Sequence, residues 1–195
     1  MLSVDSETTG IDLRHGALPF FVTTSDMEGN QEFWEWDVDP YTREPQLSLN
    51  DLHQIREILF GTAGSFGKIT AKQRQQRKAA QQLVLHNSKF DVTAFAQIGI
   101  EPWPWERTHD TLVAAHILAS NQPKDLTTLA LIYLGINIQP FEDAIEVAVK
   151  AAKAIAPKDW RFAKEGDPTM PSAKEKRWKF DMWLPRAVAD RKSVV

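Results

Sequence analysis

A chain of 195 residues, 43% hydrophobic, 25% charged and 10% aromatic, carries enough apolar material for one compact domain and too little length for two large ones. No apolar run reaches the ~18–20 residues that span a bilayer, and MLSVDSETTG opens on acids where a signal peptide needs a basic start, so a cytoplasmic protein with no membrane partner is expected. The absence of cysteine excludes disulfides, thiolate metal sites and cysteine nucleophiles, and the net charge of −3 divides into −9 over residues 1–149 and +6 over 150–195, which suits either a polyanion-binding C-terminal part or a solvated basic tail.

In chain order, Leu2-Ser3-Val4, Leu18 to Thr24 and Gln31 to Val38 read as three short strands of an antiparallel meander, with Met27-Glu28-Gly29-Asn30 as the second turn. Leu49, Leu52, Ile55, Ile58 and Leu59 recur at helical spacing within Ser48 to Phe60, and Gly61 closes that helix. Lys68 to Gln82 is expected to be a helix with five bases and no acids, a solvated face or a strip that follows phosphates. Leu83 to His86 predicts a buried strand, and the segment from Asn87 to Gly99 a helix holding Phe90, Ala94, Phe95 and Ile98; strand, turn and helix in succession indicate α/β layering. Helices are expected over Thr111 to Ala119 and Leu126 to Leu134, capped by Asp110 and Asp125, and over Pro140 to Ala156. Between 157 and 185, Trp160, Phe162, Trp178, Phe180 and Trp183 alternate with seven bases. Such a mixture grips unstacked bases and phosphates, or pins an irregular extension to a single domain spanning 1–195.

The residues that can carry chemistry are acidic. Asp5 and Glu7 stand two apart at the end of the first strand, so both project from one face and can share a hard divalent cation. Asp26-Met27-Glu28 repeats the spacing in an expected surface turn. Asp5-Ser6-Glu7-Thr8-Thr9-Gly10 differs by leaving an apolar strand for a turn where Gly10 is free to take positive φ. In Asn87-Ser88-Lys89-Phe90-Asp91, Phe90 anchors the helix start while Asp91 faces the crevice at the strand's carboxyl end. Asn87 also reads as a helix cap, and Asp91 as a first-turn acid favoured by the helix dipole.

Taken in order over about residues 2–135, Asp5-x-Glu7-Thr8, Asn87-x-x-Phe90-Asp91 and Asp110-Thr111-Leu112 resemble the DEDD superfamily of 3′–5′ exonucleases, in particular the proofreading exonuclease domain of bacterial and phage family A DNA polymerases. The resemblance implies a ribonuclease-H-like (DnaQ-like) α/β fold, with a central mixed sheet flanked by helices. It also implies two divalent metal ions, Mg2+ or Mn2+, that remove nucleotides from a single-stranded DNA 3′ end. By position Asp5 bridges both ions, Glu7 binds the first and Asp91 holds the second through water. Thr8 lies beside the 3′ nucleotide, Ile11 is the apolar wedge against the terminal bases, and Asn87 supports the active-site turn. Asp110 matches a recurring acid of the polymerase-type members and is equally an N-cap.

The fourth carboxylate departs from the family's pattern of Tyr or His, three residues, then Asp, because the late candidate is Arg186-x-x-x-Asp190. A guanidinium stays protonated and cannot deprotonate a water. Either Asp190 completes the site with altered water positioning, or the third motif lies beyond the C-terminus. A polymerase domain or replication proteins are the partners the resemblance suggests. An RNA-trimming member of the superfamily and a catalytically impaired nucleic-acid-binding or docking module are the alternatives. A P-loop and a His-Glu-x-x-His site are both missing from the sequence.

Overall fold

The computed structural model describes residues 1–39, 42–60, 81–155 and 183–189. Asp190, most of the expected basic helix before Gln81, and all the aromatics between 157 and 182 lie outside the described residues. Five strands, β1 (Leu2–Thr8), β2 (Pro19–Asp26), β3 (Gln31–Glu35), β4 (Leu83–Leu85) and β5 (Thr108–Asp110), form one sheet in the order β3-β2-β1-β4-β5. β2 and β3 are antiparallel, while β4 runs parallel to β1 and β5 parallel to β4. An N-terminal meander continued by parallel strands is the ribonuclease-H-like α/β arrangement, and it brings the carboxyl ends of β1, β4 and β5 to one edge.

The helices are α1 (Leu49–Phe60), α2 (Ser88–Gln97), α3 (Thr111–Leu118), α4 (Leu126–Leu129), α5 (Gln139–Ile155) and α6 (Leu184–Ala189), with a π-helical turn at Ala130–Leu134. Contacts divide the chain into two compact units. The first comprises Met1–Ser6, Phe21–Glu35 and Leu47–Gln122, the second Glu7–Phe20, Trp36–Gln46 and Pro123–Val195.

In the first unit, Leu2 and Val4 of β1, Val22 of β2, Leu83 and Leu85 of β4, Ile55 and Leu59 of α1, and Ala94 and Phe95 of α2 are all buried. Phe95 stacks on Trp103 with ring centroids 5.4 Å apart, and Phe60 of α1 meets the same indole edge-on at 6.4 Å. Buried Arg107 donates to the carbonyls of Gln81 at 3.0 Å and Leu59 at 3.4 Å, so its charge is spent on closing the main chain around the helix end. In the second unit, Leu13, Ala17, Phe20, Trp36 and Val38 are buried, as are Val149 and Ala152 on one face of α5. Trp183 and Leu184 are buried at the start of α6, which packs against α5.

Several expectations need correction. The first strand runs on to Thr8, because Thr9 N–H pairs with Leu18 O at 2.9 Å and the chain reverses later, through a 3-10 turn at Leu13–His15 and Gly16 at φ 98°. Gly10 therefore does not take positive φ, and a Cβ there would meet Ala17 Cβ at an ordinary 3.7 Å. Gln81 and Gln82 are not helical; Gln82 O accepts Leu2 N–H at 2.8 Å and leads into β4. The third strand ends at Glu35, and Val38 makes an isolated bridge to Pro45. A helix over Leu184–Ala189 starts at the end of the 157–185 stretch, with Pro185 in its first turn, where a missing N–H costs nothing.

Candidate active site

The corner that gathers the sequence motifs is built in the first unit from β1, β4 and the helices that follow β4 and β5. Asp110 ends β5, in register with Leu85 of β4. Its Oδ1 accepts from the main-chain N–H of Leu112 at 2.8 Å and Val113 at 3.2 Å, which caps α3, and from Asn87 N–H at 3.2 Å. Its Oδ2 accepts from Ser88 N–H at 2.8 Å and Ser88 Oγ at 2.7 Å. Burial pushes this carboxyl up, but the Ser88 hydroxyl and the main-chain donors of Val113, Ser88 and Asn87 outweigh it and hold the pKa below the ordinary value. One carboxylate thus caps one helix and fastens the turn that begins another.

That turn is Asn87, which sits at φ 67°, a left-handed conformation that asparagine tolerates better than most side chains. Its side chain makes no capping bond to α2. Its carbonyl accepts from Phe90 N–H at 2.9 Å, and the helix that follows carries Asp91 in its first turn. Asp91 is only 3% exposed. Its Oδ1 accepts from Ser6 Oγ at 2.7 Å and from Ser6 N–H at 3.1 Å. Burial, relieved in part by the Ser6 hydroxyl and reinforced by the charge of Asp5, pushes its pKa up to about 6.

Asp5 stands on the outer side of β1 between buried Val4 and Ser6. Crowding of its carboxyl by protein raises its pKa, against the Ser6 N–H and the electrostatic pull of His86. His86 Nδ1 lies 2.9 Å from Thr111 Oγ1, whose own hydrogen goes to Leu85 O at 3.1 Å. With that hydrogen committed, the Thr111 oxygen accepts and Nδ1 is the donor, so neutral His86 carries its lone pair on Nε2.

The structure therefore brings together Asp5, Asp91 and Asn87, with Asp110 behind the turn. Glu7 lies two residues beyond Asp5 on the same strand, half-buried, in the second unit. In that unit Thr8 Oγ1 donates to Gly10 O at 2.6 Å, and Ile11 is 76% exposed in the loop that follows. Asp26-Met27-Glu28 is the surface turn expected: Asp26 accepts from the Asn30 side chain and from the Glu28 and Asn30 main chain, and those bonds lower its pKa. Arg186 pairs with Asp37 through Nε to Oδ1 at 2.9 Å. Trp183 is buried at 3% exposure, which removes it from any base-stacking role.

Among the described residues no group of three or more His, Asp or Glu side chains is gathered closely enough to enclose a metal ion. Asp5 and Asp91 nonetheless fit one. They are hard oxygen donors whose mutual repulsion a cation would relieve, and Mg2+ characteristically takes one or two protein carboxylates and completes its octahedron with water and phosphate oxygens. Sequence reasoning missed Ser6, whose partner lies 85 residues away.

No family model and no curated protein matches the chain. Solved structures do. A nuclease in its apo form aligns over 97% of this chain and 70% of its own at 17% identity, with a TM-score of 0.48. Brucella melitensis NrnC bound to pGG aligns over 97% of this chain and 71% of its own at 14% identity and a TM-score of 0.48. The same protein with bound Mg2+ aligns over 98% and 71% at 14% identity and 0.46. Likeness of this degree assigns no activity, so function has to be read from the chain's own residues.

Proposed function

We propose that this protein is a metal-dependent nuclease that hydrolyses phosphodiester bonds at the 3′ end of single-stranded nucleic acid, with DNA as the expected substrate. The observation that carries the reading is the pairing of Asp5 and Asp91 at the carboxyl end of the sheet. These are two acids with raised pKa values, in the order and context of the exonuclease motifs. In this reading Asp5 and Asp91 hold a divalent cation, and Glu7, which leaves the same strand, supplies a further carboxylate. Asn87 shapes the turn, and contact of Thr8 and Ile11 with the terminal nucleotide is proposed from the sequence motif alone. The bound metal would supply a water nucleophile at neutral pH and clamp the scissile phosphate. The protein's own part is to bury the Asp91 carboxylate close enough to Asp5 to feel its charge, which costs stability and prepares the site for a cation.

The test is incubation of the purified chain with 5′-labelled single-stranded DNA and RNA, with Mg2+, Mn2+ or chelator, beside Asp5→Ala. A metal-dependent ladder receding from the 3′ end, absent in the variant, is the expected result. Preference for RNA would move the protein to the RNA-trimming reading. A folded protein that binds either strand but cleaves neither, with every metal, would instead make it a binding module.

A further inference from the structure

Along β1 the inward positions Leu2, Val4 and Ser6 are buried and the outward positions Ser3 and Asp5 exposed. A serine in that apolar inward series needs a partner, because burial strips its hydroxyl of the water it would otherwise bond. The partner is Asp91, which receives both the hydroxyl and the main-chain N–H of Ser6 on one oxygen, Oδ1. The same N–H supports the carboxylate of Asp5. A single residue of a rigid strand is thereby tied to both acids of the candidate site. The terminal torsion of an aspartate is broad and sets its carboxyl plane weakly. Two donors from one residue of the strand hold Oδ1 in place.

We propose that Ser6, the spacer of the Asp-x-Glu motif, is a positioning residue that holds Asp91 through Oδ1 and so keeps its carboxylate in place, with Asp5, for a divalent cation. This rests on the metal-dependent reading above. Removing the hydroxyl leaves one donor on Oδ1 and lets the carboxyl rotate, which weakens the metal before it alters anything else at the site.

The test uses the full chain and the metal alone, with no substrate. Mn2+ binding is followed by titration calorimetry at pH 7.5 for the wild type, Ser6→Ala, Ser6→Thr and Asp91→Asn, with circular dichroism to check folding. Ser6→Ala is expected to weaken Mn2+ binding about 10–100-fold, Ser6→Thr to stay within about threefold of the wild type, and Asp91→Asn to lose the site. Should Ser6→Ala fail to fold, Ser6→Cys keeps the volume with a weaker donor and is expected to fall between alanine and threonine. Wild-type affinity in the folded alanine or cysteine variant, with the site lost in Asp91→Asn, would overturn the role of Ser6 and leave the metal reading intact. A wild type that binds no Mn2+ would overturn both.

Discussion

Two helices of the first unit carry an aspartate at their N-terminal end, and the fold treats the two carboxylates in opposite ways. Asp110, before α3, is surrounded by donors from Asn87, Ser88, Leu112 and Val113, and its pKa falls. Asp91, in the first turn of α2, is buried against Ser6 and beside Asp5, and its pKa rises to about 6. Position at a helix N-terminus therefore does not decide what a carboxylate is for. A fully bonded acid has spent its lone pairs on structure, whereas a buried one next to another acid keeps a capacity that a cation would fill.

The largest expected difference between them is catalytic. Asp91→Asn and Asp5→Asn should each reduce metal-dependent cleavage at least about 10³-fold in the labelled-oligonucleotide assay, since positioning and charge supply most of the rate. Asp110→Asn should stay within about tenfold of the wild type while folded. Equal losses in all three would erase the contrast.

The second difference is in stability without metal. The native state holds the Asp91 proton to about pH 6, while an unfolded aspartate releases it near pH 4. The native state binds more protons in that window, so this group's contribution to stability falls as pH rises through it, and above pH 6 the cost stands in full, on the order of 2–3 kcal/mol. Asp91→Asn removes the charge and keeps an oxygen for Ser6, so its urea midpoint should climb relative to the wild type between pH 4 and 6.5. A constant difference across that range would mean that Asp91 is not held protonated.

Asp110→Asn should do the reverse, losing about 2 kcal/mol in urea unfolding at pH 7, because an amide cannot accept from the donors now on both oxygens. The smallest effect belongs to the second unit, where Arg186 and Asp37 pair at 48% and 54% side-chain exposure. Ion pairs so exposed contribute about 0–1 kcal/mol, so Arg186→Ala should barely move the unfolding midpoint.

Much of this was legible locally. Apolar spacing marked α1 and α2, and Asp110 and Asp125 announced their caps. What escaped had no local pattern. β5 is three residues long, too short for a period-2 signal, and exists because it completes a ladder with β4. The first strand outran its apolar start because Asp5 and Glu7 alternate with buried Ser6 rather than with a hydrocarbon side chain. Ser6 looked like a spacer for the same reason: nothing local marks it, and its partner Asp91 lies 85 residues away on α2. Asn87 also read as a cap, and its side chain makes no capping bond; Asp91 is the first-turn acid expected, set apart from the capping Asp110 by its burial and its raised pKa.

The most direct test of an acid pair built for a cation is the melting temperature of the wild type and Asp91→Asn at pH 8, with chelator and with saturating Mn2+. With chelator Asp91→Asn should melt higher, because the buried repulsion is gone. With Mn2+ the wild type should rise and the variant should not, since only a protein that binds the ion in its native state gains from it. An Asp91→Asn protein that melts below the wild type with chelator and follows it upward with Mn2+ would contradict the assignment of Asp5 and Asp91 as the metal-holding pair.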